Sequence, residues 1–306
     1  MTVLTSITAA HARLSANIRG ALWMLASALT FTVMTTLIKL LGAHYSPALQ
    51  TFYRQAAALL IMSPLILRNP VAAFRTTRPG VLLFRASAGT VGLILSFYSF
   101  QNMGLAEANA LSFTRTLWIV PLAIFVLREK LGPWRIGATL VGFVGVLFML
   151  QPSGGSASIG LPALAGLAAA FLFAFTITSM KVMTRDHSTL VLTAWSQTLG
   201  LVFSLPIALF SWRWPTPVDL LLLTAMGGLA LINQITYIKG MAIGDAAAMA
   251  PIDYTRLIFA VIVGFSFFHE VPSLVVMGGA ALVIGSTLVI TLRDMRRARP
   301  PPPQFE

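Results

Sequence analysis

The sequence predicts an all-α polytopic membrane protein, with ten transmembrane helices arranged as two inverted five-helix repeats. Three observations lead there. The 306 residues are 57% hydrophobic and only 10% charged, with a mean hydropathy of +0.83; a soluble domain carries about a quarter charged residues. Apolar runs near the length of a bilayer crossing follow one another almost without interruption. The second half of the chain also repeats polar landmarks of the first in register.

The runs fall at about 19–41, 47–67, 80–101, 106–127, 134–151, 160–182, 189–211, 218–239, 246–268 and 273–292. They are continuously apolar rather than alternating in short segments, which selects helices over a closed β-barrel. The triplet Ala26-Ser27-Ala28 has the small-residue pattern of a signal-peptidase site, but it lies near the start of its run, so the first span is kept as structure. Cysteine is absent, which removes disulfides and thiolate-held metals.

A net charge of +12 raises the question of nucleic acid, and the placement of the charges answers it. With a cytoplasmic N-terminus, Arg19, Arg68, Arg75, Arg78, Arg128, Lys130, Arg135 and Arg185 all fall on inner segments, as does the tail from Arg293. The outer loops hold little beyond Arg213. That is the positive-inside pattern; both termini are expected in the cytoplasm and no nucleic-acid partner is implied. The basic tail is suited to anionic lipid headgroups.

The internal repeat fixes the domain plan. Lys181, Gln197 and Pro206 each lie 142 positions after Lys39, Gln55 and Pro64. Thr255-Arg256, Glu270 and Gly278 lie 141 after Thr114-Arg115, Glu129 and Gly137. Charged and amide residues are rare in apolar spans, so their recurrence indicates duplication. The expected parts are an N-terminal segment (1–18), a first repeat (19–151), a glycine-rich outer linker (152–159), a second repeat (160–292) and a basic, proline-rich tail (293–306). An odd number of helices per unit makes the second copy enter the bilayer from the opposite side.

Two five-helix units, each with a glutamate after the fourth span (LREKLGPWRIGA, FFHEVPSLVVMGGA) and a glycine-spaced fifth helix, resemble the EamA-type transporters of the drug/metabolite transporter superfamily. The segments LAEANALSFTRTLWIVPLAIFVLREKLG and PIDYTRLIFAVIVGFSFFHEVP are most similar to the bacterial branch described as S-adenosylmethionine or riboflavin carriers and to related amino-acid and metabolite carriers. At Thr116 the chain departs from the proline that commonly follows the first Thr-Arg of that branch. The resemblance implies a bacterial inner-membrane transporter working by alternating access.

Charges inside the spans mark the candidate site, because a cation at the bilayer centre costs on the order of 3 kcal/mol even on insertion scales. Arg115 and Arg256 occupy equivalent positions in spans four and nine, where a pseudo-two-fold arrangement brings them to one central chamber. Their planar forks suit a carboxylate or phosphate. Asp253 either neutralises Arg256 at i, i+3 spacing or faces the substrate. Trp118 and Tyr254 offer aromatic surface, with interfacial anchoring as the alternative. Tyr98 and Gln101 on span three, with Asn233 and Tyr237 on span eight, complete a polar wall or else make packing hydrogen bonds. Lys39 and Lys181 sit nearer span ends as anchors or cavity residues, while Ala138/Gly142 and Ala281/Gly285 have the small-xxx-small spacing of close helix packing.

No GxxxxGK[ST] or HExxH motif occurs and the four histidines are not paired at ligand spacing, so neither a nucleotide-driven pump nor a metal centre is expected, and no cofactor is. The expected function is secondary transport of a small polar, carboxylate-bearing metabolite such as an amino acid or S-adenosylmethionine. Its partners are that solute and membrane lipid, with a proton through Glu107 or Asp253, or an exchanged solute, as coupling candidates. The alternatives are an exporter of drugs or other amphipathic metabolites and, at a distance, a membrane-embedded enzyme using Glu107, Asp253 or His269.

Overall fold

A computed structural model describes residues 16–125, 128, 132–150, 160–183, 189–243 and 246–297. Within them the chain forms twelve helices and no strand. These are α1 (Ala16–Gly42), α2 (Pro47–Arg68), the short α3 (Pro70–Phe74), α4 (Pro79–Asn102), α5 (Leu105–Phe125), α6 (Pro133–Met149), α7 (Leu161–Met183), α8 (Thr189–Leu209), α9 (Pro217–Ile243), α10 (Ala246–Asp253), α11 (Thr255–Phe268) and α12 (Leu274–Arg297).

Local chemistry sets many of these boundaries. Proline opens α2, α3, α4, α6 and α9, where its missing N–H costs nothing because first-turn amides have no intrahelical acceptor. Ser46 caps α2 by accepting the Leu49 amide at 3.3 Å, and Asn69 ends α2 while capping α3 through the Ala72 amide at 3.1 Å.

Among the described residues, eight helical stretches are long and apolar enough to cross a membrane: α1, α4, α5, α7, α8, α9, the segment Pro251–Phe268 and α12. Helix α6, with 17 residues, is apolar but shorter, and α2 has the length but interrupts its apolar run with Gln50, Arg54 and Gln55. The ten expected spans therefore reduce to eight that meet both criteria. The outer surface is apolar as lipid contact requires, with Phe125, Phe210 and Leu274 each more than four-fifths exposed.

The expected single helix over 246–268 is split. Pro251 lacks the amide that would continue the ladder, and the Tyr254 amide reaches only three residues back, to the Pro251 carbonyl at 3.3 Å. The Thr255 hydroxyl takes up the Ile252 carbonyl at 2.7 Å, and α11 starts afresh. Helix α12 also continues beyond the expected end at Leu292, to Arg297.

Helix packing repeats when the two halves are exchanged. Helix α1 lies along α9, and their counterparts α7 and α4 lie along each other; α2 with α8, and α6 with α12, pair across the halves. Among the described residues, the two non-glycine positions with positive φ are Arg128 (53°) and His269 (54°), which stand 141 residues apart in the register of the sequence repeat. At His269 this left-handed turn closes α11, with the Glu270 amide returning to the Gly264 carbonyl at 3.0 Å.

The closest packing between α6 and α12 falls on Gly145 and Gly279, beside the expected small-residue pairs. A Cβ on Gly145 would meet the Gly279 carbonyl at 2.7 Å, and one on Gly279 would meet the Gly145 carbonyl at 2.6 Å, so the two backbones touch. Gly142, one of the expected small residues, is tight against Leu117, and a Cβ added there would lie 3.1 Å from the Ser286 Cβ on α12, whereas Ala138, Ala281 and Gly285 line an open apolar groove between these helices. Glu129, the linker 152–159, the first fifteen residues and the end of the tail lie outside the described residues, as does the side chain of Lys181.

Candidate functional site

A cavity of about 460 Å³ lies between the helices, lined from α1, α2, α4, α5, α7, α8, α9 and α11. A smaller chamber of about 280 Å³ adjoins it and shares Phe31, Arg54, Arg115, Ala230, Asn233, Gln234 and Arg256 with it. The larger volume falls within the roughly 300–1,000 Å³ typical of small-molecule sites.

The two Thr-Arg pairs supply its centre. Each threonine folds its hydroxyl back onto its own helix, Thr114 to the Leu111 carbonyl at 2.6 Å and Thr255 to the Ile252 carbonyl at 2.7 Å. The arginine that follows faces the cavity in both cases. Arg256 is 7% exposed; one Nη donates to the Ser112 hydroxyl at 3.3 Å, its guanidinium lies 3.8 Å from the Phe113 ring centroid and 5.0 Å from that of Phe31, and its Nε has no acceptor. Arg115 makes no hydrogen bond or ion pair with a described residue. It stands near enough to Arg256 for the like charges to interact.

Of the other expected site residues, Asn233 lines both chambers and is held by Ser27, donating to its carbonyl at 2.8 Å and its hydroxyl at 2.9 Å. Asp253 and Tyr237 line the smaller chamber. Asp253 does not form a contact ion pair with Arg256, although both line the smaller chamber. Trp118 lines neither chamber; its ring packs edge-on against Phe143 at 4.8 Å and Phe171 at 5.2 Å. Tyr98 lies outside the lining as well, and Gln101 donates to the Tyr45 carbonyl at 3.3 Å. Tyr254 stacks on Phe113 at 4.5 Å and hydrogen-bonds Thr287.

Two cations join the cavity that sequence reasoning did not place there. Arg54 on α2 donates to the neighbouring Gln55 carboxamide oxygen at 3.0 Å and leaves its Nε unpartnered. Arg85 on α4 donates to the Ser196 hydroxyl at 2.8 Å and the Thr176 carbonyl at 3.4 Å. The available signal was the same as for Arg115, an arginine well inside an apolar run.

At one end of the bundle the Lys39 ammonium pairs with the Glu270 carboxylate, the one ion pair within 4.0 Å among the described residues. Glu270 also accepts the Leu105 amide at 2.7 Å, and Lys39 donates to the Met103 carbonyl and lies 5.3 Å from the Phe268 ring centroid. Glu107, a candidate for proton coupling, is within electrostatic range of Lys39 and Glu270. Nearby, Tyr45 donates to Asp219 at 2.7 Å; burial first, then this bond, pushes its phenol above the usual tyrosine range, so it stays a donor.

Helices long and apolar enough to cross a membrane, packed around a polar chamber that charged side chains face, define a multi-pass membrane protein. The chain belongs to the EamA-like transporter family, whose domain it carries twice, at residues 18–151 and 160–292. It is 27% identical over 92% of its length to a protein of Rickettsia prowazekii (strain Madrid E) named as an S-adenosylmethionine uptake transporter, covering 96% of that protein. It is 30% identical over 92% of its length to a protein of Rhizobium johnstonii named as a riboflavin transporter, covering 94% of it. A solved crystal structure shares the fold with a TM-score of 0.61 at 20% identity, over 92% of this chain and 99% of the other. The protein is thus a membrane metabolite transporter and not an enzyme.

Proposed function

We propose that the protein is a secondary carrier of a small polar, carboxylate-bearing metabolite, of the amino-acid or S-adenosylmethionine kind, across the bacterial inner membrane by alternating access. The observation that carries this reading is Arg115 and Arg256, equivalent residues of the two repeats, lining one cavity. Guanidinium forks there can grip a carboxylate that water outside would otherwise solvate. Asn233, Tyr237 and Asp253 supply polar contacts for an amino or hydroxyl group.

In this reading α2 and α6 also cross the bilayer, giving ten spans, and the halves are inverted with both termini in the cytoplasm. The exchange symmetry of helix packing and the matching left-handed turns at Arg128 and His269 support it. The Lys39–Glu270 pair then lies at the outer end and closes it, while the cavity extends toward Arg85 and Thr193 nearer the inner ends of α4 and α8. Two conformations of similar energy follow from exchanging the roles of the halves.

Uptake of labelled S-adenosylmethionine, riboflavin and amino acids into reconstituted vesicles tests the proposal. Accumulation of a carboxylate-bearing solute above empty vesicles, abolished in Arg115→Ala that still elutes as folded protein, is expected. Uptake of riboflavin alone would keep the carrier and remove the carboxylate; uptake of none would remove the reading.

A further inference from the structure

The charge inside the cavity is out of balance. Four guanidiniums, Arg54, Arg85, Arg115 and Arg256, line it from four different helices, and among the described residues Asp253 is the one acid facing them. Their contacts are neutral: a carboxamide oxygen for Arg54, a hydroxyl and a carbonyl for Arg85, a hydroxyl and two aromatic faces for Arg256. Neutral dipoles orient a guanidinium but do not cancel its charge. The buried Nε atoms of Arg54 and Arg256 have no acceptor, and Arg115 and Arg256 line the same space as the Asp253 carboxylate, two cations to one anion.

A zwitterion brings no net charge to this chamber, and a monocarboxylate offsets one cation of the excess. We propose that the cavity's ligand carries two negative charges on compact groups, as a phosphate ester or a dicarboxylate does, joined to an apolar or aromatic body. The charged part faces the arginines, whose forks bind phosphate and carboxylate oxygens in pairs. The body lies against Phe31, Phe97, Phe100 and Phe173, which line the same cavity. The proposal takes this cavity as the substrate site and so rests on the carrier reading; it keeps the carboxylate-type anion of that reading but replaces neutral amino acids and S-adenosylmethionine by a dianion.

The test is binding to the purified full-length protein, followed by ligand-induced thermal stabilisation with two probe pairs that share a body and differ in its anionic groups: adenosine 5′-monophosphate against adenosine, and succinate against its near-isosteric diamide succinamide. In at least one pair the dianion is expected to bind about tenfold or more tightly than its neutral partner, as one added charge-assisted hydrogen bond provides. That preference is expected to vanish in Arg256→Gln and to persist in Arg213→Gln, which lies outside the cavity. Equal binding within both pairs, or a preference for the neutral member, overturns the proposal, and the wild-type comparison alone decides this if the Arg256 variant does not fold. Because the vesicle assay above uses different solutes, a carrier that moves an amino acid yet ignores both dianions would lose this inference and keep its transport function.

Discussion

The ammonium of Lys39 is ion-paired with the carboxylate of Glu270, joining the last turn of α1 to the residue just past the left-handed turn that ends α11. The same carboxylate holds the Leu105 amide, so three chain segments meet on one side chain. Lys39→Met leaves that carboxylate without its cation and is expected to lower stability by about 1–3 kcal/mol. It should also open this end: a cysteine at Met103 is expected to react faster with a membrane-impermeant maleimide, and the swap Lys39→Glu with Glu270→Lys is expected to slow it again. Unchanged labelling in Lys39→Met would show that the pair does not hold the end closed.

Arg256 donates to Ser112 while its guanidinium faces Phe113, so charge alone does not describe its role. Lysine keeps the charge but has neither the planar fork nor the flat face. Arg256→Lys is therefore expected to lower kcat/KM for uptake by about tenfold or more with the protein still folded. Wild-type kinetics in that variant would reduce Arg256 to a source of positive potential.

Trp118 packs between Phe143 and Phe171, outside the cavity lining. Trp118→Phe is expected to leave the KM for uptake within about twofold while reducing thermal stability, through lost packing worth about 1 kcal/mol. A large KM effect at unchanged stability would return this ring to the substrate path.

At the α6–α12 crossing neither Gly145 nor Gly279 has room for a side chain. Gly145→Val is expected to cost about 1–3 kcal/mol by forcing the helices apart, seen as a lower unfolding temperature. Gly137→Ala is the matched control, since a Cβ there meets nothing within 4 Å and alanine favours helix.

Rare residues made much of the architecture legible. Duplicated Lys, Gln, Glu and Thr-Arg positions stand out in apolar segments because each is expensive there, and they pointed to the repeat and to Arg115 and Arg256. The facing of apolar and aromatic side chains was not legible: lipid and protein interior are equally apolar, so periodicity does not tell an inward ring from an outward one. Trp118, one turn beyond a cavity arginine, and Tyr98 on α4 lie outside the lining while Tyr237 lies within it, which an aromatic side chain alone does not foretell; Asn233 was easier to place because an amide avoids lipid. Asp253 and Arg256 share a chamber without a contact ion pair, because i, i+3 spacing permits that contact without requiring it. Arg54 and Arg85 carried the needed signal individually, but having no arginine at the equivalent repeat positions they lacked the symmetry that singled out the other two.

The crossing of α6 and α12 has a mechanical corollary. Where main chain rests directly on main chain, there is no layer of rotatable side chains to soak up sliding, so any displacement of α6 against α12 is expected to be smallest beside Gly145 and Gly279. Under the proposed alternating access, the crossing would serve as the fulcrum, with travel accumulating toward the far tips of the remaining helices.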